Sequence, residues 1–290
     1  MSQLAGQFRR MSLEDFRLLR DLVYEHAGLV YDESALMLFD RRLSERLEAL
    51  ALPSYQAYYK YLRFDAHNQH EMEEAVERLT TKETYFFRQE YQLRAFQSEL
   101  LPRLEEANQR SRRLLVWSAG CSSGEEAYTI AALILESERF KGWDVRVIGT
   151  DLSKQCVAHA RRGIYQSGSL RATSARDKAR YFVEYEDGFH VVEDVKKLCQ
   201  FGQMNLFETG RGNLVGRVDA IFCRNVLIYF DVRSRKRVID HLYQRLSPGG
   251  YLMLGHSESL LNLSTAFELV HLRDDLVYRK PLGAERSGGF

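Results

Sequence analysis

The sequence predicts an α/β sheet domain preceded by a small all-helical domain. Three observations carry that prediction. Short apolar strands at 114–117, 145–149, 218–223 and 251–254 alternate with amphipathic helices at 125–137 and 232–246, the pattern of a parallel sheet covered on both faces. The first strand runs through small residues, Ser118-Ala119-Gly120-Cys121-Ser122-Ser123-Gly124, into a helix that opens with Glu125 and Glu126. Residues 12–79 show helical periodicity throughout.

Composition bounds the class of protein. Apolar residues make up 45% of the 290-residue chain and charged residues 28%, enough for a substantial core under a solvated surface. Lys plus Arg number 41 against 40 Asp plus Glu, a net charge of +1 that argues against a protein dedicated to nucleic acid. Cys121, Cys156, Cys199 and Cys223 show neither CxxC nor metal-ligand spacing, so reduced thiols and no metal are expected. No apolar run approaches the ~20 residues that cross a bilayer, and the N-terminus lacks a signal-peptide core. A cytoplasmic monomer without membrane insertion is the expectation.

In the helical domain, Ser12-Leu13-Glu14-Asp15 is a capping-box pattern that starts the first helix, and Gly28 punctuates it. Leu36, Phe39, Leu43, Leu47 and Leu50 mark the apolar face of the next. Pro53-Ser54 opens a tyrosine-rich helix from Tyr55 to Tyr61. Residues 89–113 read as one connecting helix. Beyond the second strand, which ends in Thr150-Asp151, Ser153 caps a further helix. Pro248-Gly249-Gly250 turns into the fourth strand, and 267–270 with 276–279 form a hairpin at one sheet edge. An interruption at about 181–203 reads as a small antiparallel flap: Glu186-Asp187-Gly188 turns a hairpin, and 195–201 supply its third strand. The tail 283–290 is expected to be disordered.

In open α/β sheets, ligands bind beyond the carboxyl ends of the strands where strand order reverses. That rule gathers Ala119 to Glu126, Asp151, and Cys223 to Tyr229 into one crevice. Gly120 and Gly124 are expected to let a ligand approach bare backbone. Their Gly-x-x-x-Gly spacing departs from the dinucleotide fingerprint, which disfavours a nicotinamide cofactor. The loop suits a ligand with a positive centre and sugar hydroxyls. It is equally a tight strand-to-helix turn whose acidic first turn complements the helix dipole. Asp151 can accept both hydroxyls of a ribose; as a helix cap it is less well placed than Ser153. Arg224-Asn225 ends an apolar strand at the crevice mouth, where a core role fails. Tyr229 faces either crevice or core. Upstream, Thr84, Phe86, Phe87 and Arg88 can form a lid; packing between domains is the plainer reading of the two phenylalanines, and Arg88 calls for an anionic partner. His256 reads as loop structure.

These residues together resemble CheR, the chemotaxis receptor methyltransferases. The matching segments are Thr81 to Arg88, Trp117 to Tyr128, Gly149-Thr150-Asp151, Phe222 to Asp231 (FCRNVLIYFD) and Pro248 to Glu258 (PGGYLMLGHSE). The resemblance implies a helical receptor-facing domain over 1–80, a lid and connecting helix over 81–110, and a Rossmann-like S-adenosylmethionine-dependent methyltransferase domain over 111–290 carrying the flap. It implies cofactor contacts at Lys82, Thr84, Arg88, Gly120, Glu126, Asp151, Asn205, Leu206, Arg224 and Asn225, with Tyr229 beside the transferred methyl. Arg88 is expected to orient the incoming carboxylate. The implied reaction methylates the γ-carboxylate of glutamates on the cytoplasmic helices of chemoreceptors, leaving S-adenosylhomocysteine. Arg41, Arg42 and Arg46 resemble the basic receptor-facing helix, diluted by Glu45 and Glu48; Arg42 and Arg46 share a face suited to an acidic helix. The flap is short, which argues against tethering to a receptor's C-terminal peptide. Two other readings stand beside this one: a catalytically silent cofactor-binding regulator, and a methyltransferase for small carboxylic acids.

Overall fold

Helix boundaries over the first 80 residues follow their caps. In the computed structural model, which describes residues 10–65, 68–208 and 215–283, helix α1 spans Leu13–Ala27. Ser12 Oγ accepts the Asp15 amide at 3.1 Å and the Asp15 carboxylate accepts the Ser12 amide at 3.0 Å, the reciprocal box its spacing predicts. Gly28, at φ +72°, ends the helix in the left-handed conformation. Helices α2 (Leu36–Ala49), α3 (Tyr55–Phe64, capped by Ser54) and α4 (Asn68–Leu79) follow. Past residue 283 the expected disordered tail lies outside the described residues.

The chain divides into two compact units, Met1–Thr81 with Tyr229–Asp231, and Lys82–Ile228 with Val232–Phe290. In the helical unit Phe39, Leu43 and Leu47 are buried as their spacing requires, and the Phe39 ring meets Phe16 and Tyr31 edge-on, each at 5.0 Å. The core also holds a charge. Arg46 of α2 makes two bonds, 2.9 and 2.6 Å, to Glu71 of α4, and the Tyr58 hydroxyl adds a third at 2.7 Å. Burial and the Glu71 carboxylate push the Tyr58 hydroxyl's pKa up. Tyr229–Asp231 joins this unit through backbone: Leu29 bridges Phe230, and the Val30 amide donates to Tyr229 O at 2.9 Å.

In the larger unit the connecting segment is not one regular helix to residue 113. Helix α5 (Glu90–Ala95) passes through a π-helical turn at Phe96–Leu100, where the Leu101 amide reaches back to Phe96 O, into α6 (Leu101–Asn108). Pro102 has no amide to donate, which favours a break in the regular ladder there. Next come β1 (Arg113–Ala119), α7 (Glu125–Ser137), β2 (Asp144–Asp151) and α8 (Lys154–Arg162). Then follow β3 (Ile164–Tyr165), α9 (Ala175–Tyr181), β4 (Phe182–Tyr185), β5 (Gly188–Val191) and α10 (Glu193–Lys196). The chain closes with β6 (Cys199–Gln203), β7 (Val218–Cys223), α11 (Val232–Arg245), β8 (Leu246–Leu254), β9 (Glu268–His271) and β10 (Leu276–Arg279).

The large sheet runs β6-β2-β1-β7-β8-β10-β9. Its first five strands are parallel, and the terminal hairpin is antiparallel. Strand order reverses between β1 and β7. Leu114 and Val116 of β1 pack into the core cluster with α7, whereas Trp117 meets His241 of α11; alternation along the strand therefore puts α7 and α11 on opposite faces.

The flap needs correction. Its hairpin at Glu186-Asp187 is present, but the third strand is Ile164–Tyr165, upstream of the expected segment. Residues 195–201 instead end α10 and begin β6, which pairs in parallel with β2 in the large sheet, Val147 opposite Cys199. Phe201 explains the choice. Its ring lies 5.1 Å from that of Tyr128 on α7 and covers Gly149, where a Cβ would stand 2.6 Å from Phe201 Cδ1. Alternating apolar residues specify a strand, not which sheet it joins.

Glu71→Ala would leave the Arg46 guanidinium and Tyr58 hydroxyl without their acceptor. The expected loss is about 3–5 kcal/mol of unfolding free energy, read by urea denaturation; a loss under about 1 kcal/mol would mean water replaces the carboxylate.

Candidate active site

The carboxyl ends of β1, β2, β6 and β7 meet at the reversal point, and the chain ties them together with backbone. The Gly120 and Cys121 amides both donate to Thr150 O, at 2.8 and 2.9 Å, so the loop after β1 is fastened to the end of β2. Asp151 completes the tie: its carboxylate accepts the Ser122 amide at 2.7 Å and the Ser153 amide at 2.9 Å. Ser153 caps α8 through the Cys156 amide at 2.9 Å, as its position predicts. Asp151 thus builds the loop after β1 at the mouth of the crevice.

The fold itself requires the two glycines. Gly120 and Gly124 have φ of +79° and +99°, which favours glycine. A Cβ on Gly120 would stand 2.5 Å from Val226 Cγ2, and one on Gly124 2.7 Å from Ala160 Cβ. The close approach they permit is to the protein's own side chains.

Glu126 and Arg224 form a buried pair beneath this loop. Ser118 Oγ donates to Glu126 Oε1 at 2.7 Å, and Arg224 Nη1 lies 3.3 Å from Oε2. The Arg224 side chain is 2% exposed. Its Nη2 donates to Arg88 O at 2.5 Å and to Gln89 Oε1 at 2.9 Å. Burial pushes the Glu126 carboxyl up while Arg224 draws it back; burial likewise depresses the Arg224 guanidinium, opposed by Glu126. Each ion is held charged chiefly by the other. Both were expected to touch the cofactor, yet the protein itself takes most of their bonding capacity.

That grip shapes the segment before α5. Phe87 and Gln89 both have φ +58°, uphill for residues with a Cβ, and the half-buried Arg88 sits between them. Its Nη1 donates to Glu83 O at 3.3 Å and its guanidinium lies 5.6 Å from the Tyr85 ring centre. Phe86 packs edge-on against Tyr165 and Phe182, each at 4.8 Å, so the small sheet of this unit is what it packs against. Thr84 is half-buried, and Lys82 Nζ reaches Gln155 Oε1 at 3.4 Å. Sequence reasoning missed the far side of the clamp: Ser169 O accepts the Phe86 amide at 2.9 Å, and Ser169 Oγ donates to Glu125 at 3.0 Å. Arg171 stacks 3.9 Å from the Tyr85 ring and pairs with Glu83. No motif marked these residues, because the segment is irregular and far away in sequence.

Asn205 follows β6 and folds its Oδ1 onto the Phe207 amide at 3.1 Å, with Leu206 buried beside it. Asn225, at φ +59°, has a buried Oδ1 that accepts no hydrogen bond among the described residues. Burial pushes the Cys121 and Cys223 thiols well up, so neither is a thiolate nucleophile. Tyr229 groups with the helical unit, as do the three arginines. Of these, Arg41 is exposed, Arg42 donates to Arg78 O and Arg46 is spent on Glu71. Arg42 and Arg46 thus also bond within the helical unit.

Residues 82–275 match the SAM-binding domain of the CheR methyltransferases, and residues 14–80 their all-alpha domain. The chain is 35% identical to chemotaxis protein methyltransferase 2 of Vibrio cholerae, over 92% of this chain and 93% of that one. It is 34% identical to chemotaxis protein methyltransferase 2 of Pseudomonas aeruginosa, over 87% and 88%. With the chemotaxis protein methyltransferase of Salmonella typhimurium the identity is 32%, over 92% of each. The site's chemistry fits S-adenosylmethionine: the orphaned Asn225 Oδ1 and the Asp151 carboxylate are acceptors, and an ammonium with ribose hydroxyls supplies donors.

Two variants probe this construction. Arg224→Lys cannot reach Glu126, Arg88 O and Gln89 together, so amide exchange at 87–89 should rise and stability fall by roughly 3 kcal/mol; unchanged exchange would show the turn is held otherwise. Gly120→Ala should cost about 1–3 kcal/mol in thermal denaturation. Adding Val226→Ala should recover only the steric part of that loss.

Proposed function

Because the chain belongs to the CheR methyltransferase family, we propose that it transfers the methyl group of S-adenosylmethionine to glutamate γ-carboxylates on the cytoplasmic helices of chemoreceptors, in chemotactic adaptation. The bound cofactor supplies an electrophilic methyl on a sulfonium. A glutamate carboxylate, pKa about 4.3, is already ionised at neutral pH and needs no general base. Its oxygen attacks the methyl carbon, an O–C bond forms as the S–C bond breaks, and the electron pair stays on sulfur. The products are a methyl ester and S-adenosylhomocysteine.

The observation that carries this reading is the presentation of Arg88. Its backbone is held on both sides by left-handed residues and its carbonyl by buried Arg224, which supports the reading that its guanidinium meets an anionic acceptor. Positioning of this kind supplies much of the acceleration in a reaction that needs no proton transfer. Binding must remain modest, since the ester product is neutral and a tightly held carboxylate would stabilise the ground state. Arg41, exposed on α2, keeps its proposed role toward the receptor.

Incubation with labelled S-adenosylmethionine and receptor cytoplasmic fragments should give base-labile label on glutamates. Arg88→Ala should lower kcat/KM by about 100-fold, and Tyr229→Phe tests the role its resemblance implies. Cofactor binding with no label on the receptor would mark a silent regulator, and label on a small acid would redirect the substrate assignment.

A further inference from the structure

Glu258 lies in the loop after β8, and its carboxylate accepts five backbone amides. Oε2 takes those of Gly255 and Asn225, both at 2.7 Å. Oε1 takes Leu227 at 2.7 Å, Val226 at 2.9 Å and Ile228 at 3.3 Å. Residues 225–228 form a turn that begins in the left-handed region at Asn225 and runs into a short 3-10 helix at Leu227–Tyr229. Successive amides of such a turn converge and bind anions, and the first amides of a helix have no partner within it. Here the anion is built into the chain. Gly255 makes the room: a Cβ there would stand 2.6 Å from Glu258 Oε2 and 2.8 Å from the Asn225 nitrogen.

The turn so held carries two groups of the site. One is Asn225, whose buried Oδ1 has no partner among the described residues. The other is Val226, whose Cγ2 occupies the space a side chain at Gly120 would need. Glu258 thereby joins the loops after β1, β7 and β8 into one block.

Resting on the methyltransferase reading above, we propose that Glu258 is a positioning residue for the reaction. It holds the 225–228 turn so that Asn225 Oδ1 is presented to the donor groups of S-adenosylmethionine, and it acts on cofactor affinity through Asn225.

The test measures S-adenosylhomocysteine binding by calorimetry, with melting temperature, on the full chain carrying Glu258→Gln, Glu258→Ala, Asn225→Ala and the double variant Glu258→Ala/Asn225→Ala. Glu258→Gln turns one acceptor into a donor facing two amides, so binding should weaken at least about tenfold with the fold kept. Glu258→Ala should weaken it further, and the double variant should bind no worse than the weaker single one, because both act through one group. Glu258→Asp, which keeps a carboxylate, should bind more tightly than Glu258→Ala. Should Glu258→Ala not fold, Gly255→Ala, which crowds the same carboxylate, takes its place. Wild-type binding in a folded Glu258 variant, or losses that simply multiply in the double variant, would overturn the proposal. The binding readout is independent of which acceptor is methylated, so failure of the glutamate assignment would leave this result interpretable.

Discussion

The buried guanidinium of Arg224 is the constraint on which the candidate site depends. It directly follows β7, pairs with Glu126 at the start of α7, and holds Arg88 O and Gln89 before α5. Three elements distant in sequence meet at one cation that water cannot reach. Removing such an ion from solvent is costly unless every contact is made, so the cation tolerates little displacement of its partners. The left-handed Phe87 and Gln89 are consistent with that: a turn uphill on its own persists where surrounding bonds over-determine it.

Around this pair the crevice is assembled from backbone as much as from side chains. Thr150 O, the Asp151 carboxylate and the Glu258 carboxylate between them accept nine amides, those of Gly120, Cys121, Ser122, Ser153, Gly255 and Asn225 to Ile228. Preset dipoles of this kind need no reorganisation when a ligand arrives. What is left for a ligand is a small set of acceptors, chief among them Asn225 Oδ1. The same economy appears in the helical unit, where Arg46 and Glu71 neutralise one another inside the core and leave Arg41 to solvent.

Much of the fold was legible because it is written in local chemistry. Ser12 with Asp15, Gly28, Ser54 and Ser153 set helix ends by bonds to their own neighbours, and Asp187-Gly188 turns a hairpin whichever sheet receives it. Phe39, Leu43 and Leu47 declare a buried face by spacing alone. The alternating pattern of residues 195–201 fits either sheet; the packing of Phe201 over Gly149 and against Tyr128 decides between them. The π-helical turn before Pro102 was likewise invisible to a reading that sees only period.

At the site the sequence by itself determined which residues gather: the reversal rule for parallel sheets brought the ends of β1, β2 and β7 together, and motifs named Glu126, Asp151, Arg224 and Asn225. What each one does was decided only by the tertiary structure. Whether a carboxylate meets a ligand or an amide depends on atoms tens of residues away, and sequence spacing holds no record of those distances. So Asp151 also ties the loop after β1, Glu258 holds the 225–228 turn, Gly120 makes room for Val226, and Arg224 grips Arg88 O and Gln89, because burying a charge or a polar group obliges the nearest complementary atom to answer it.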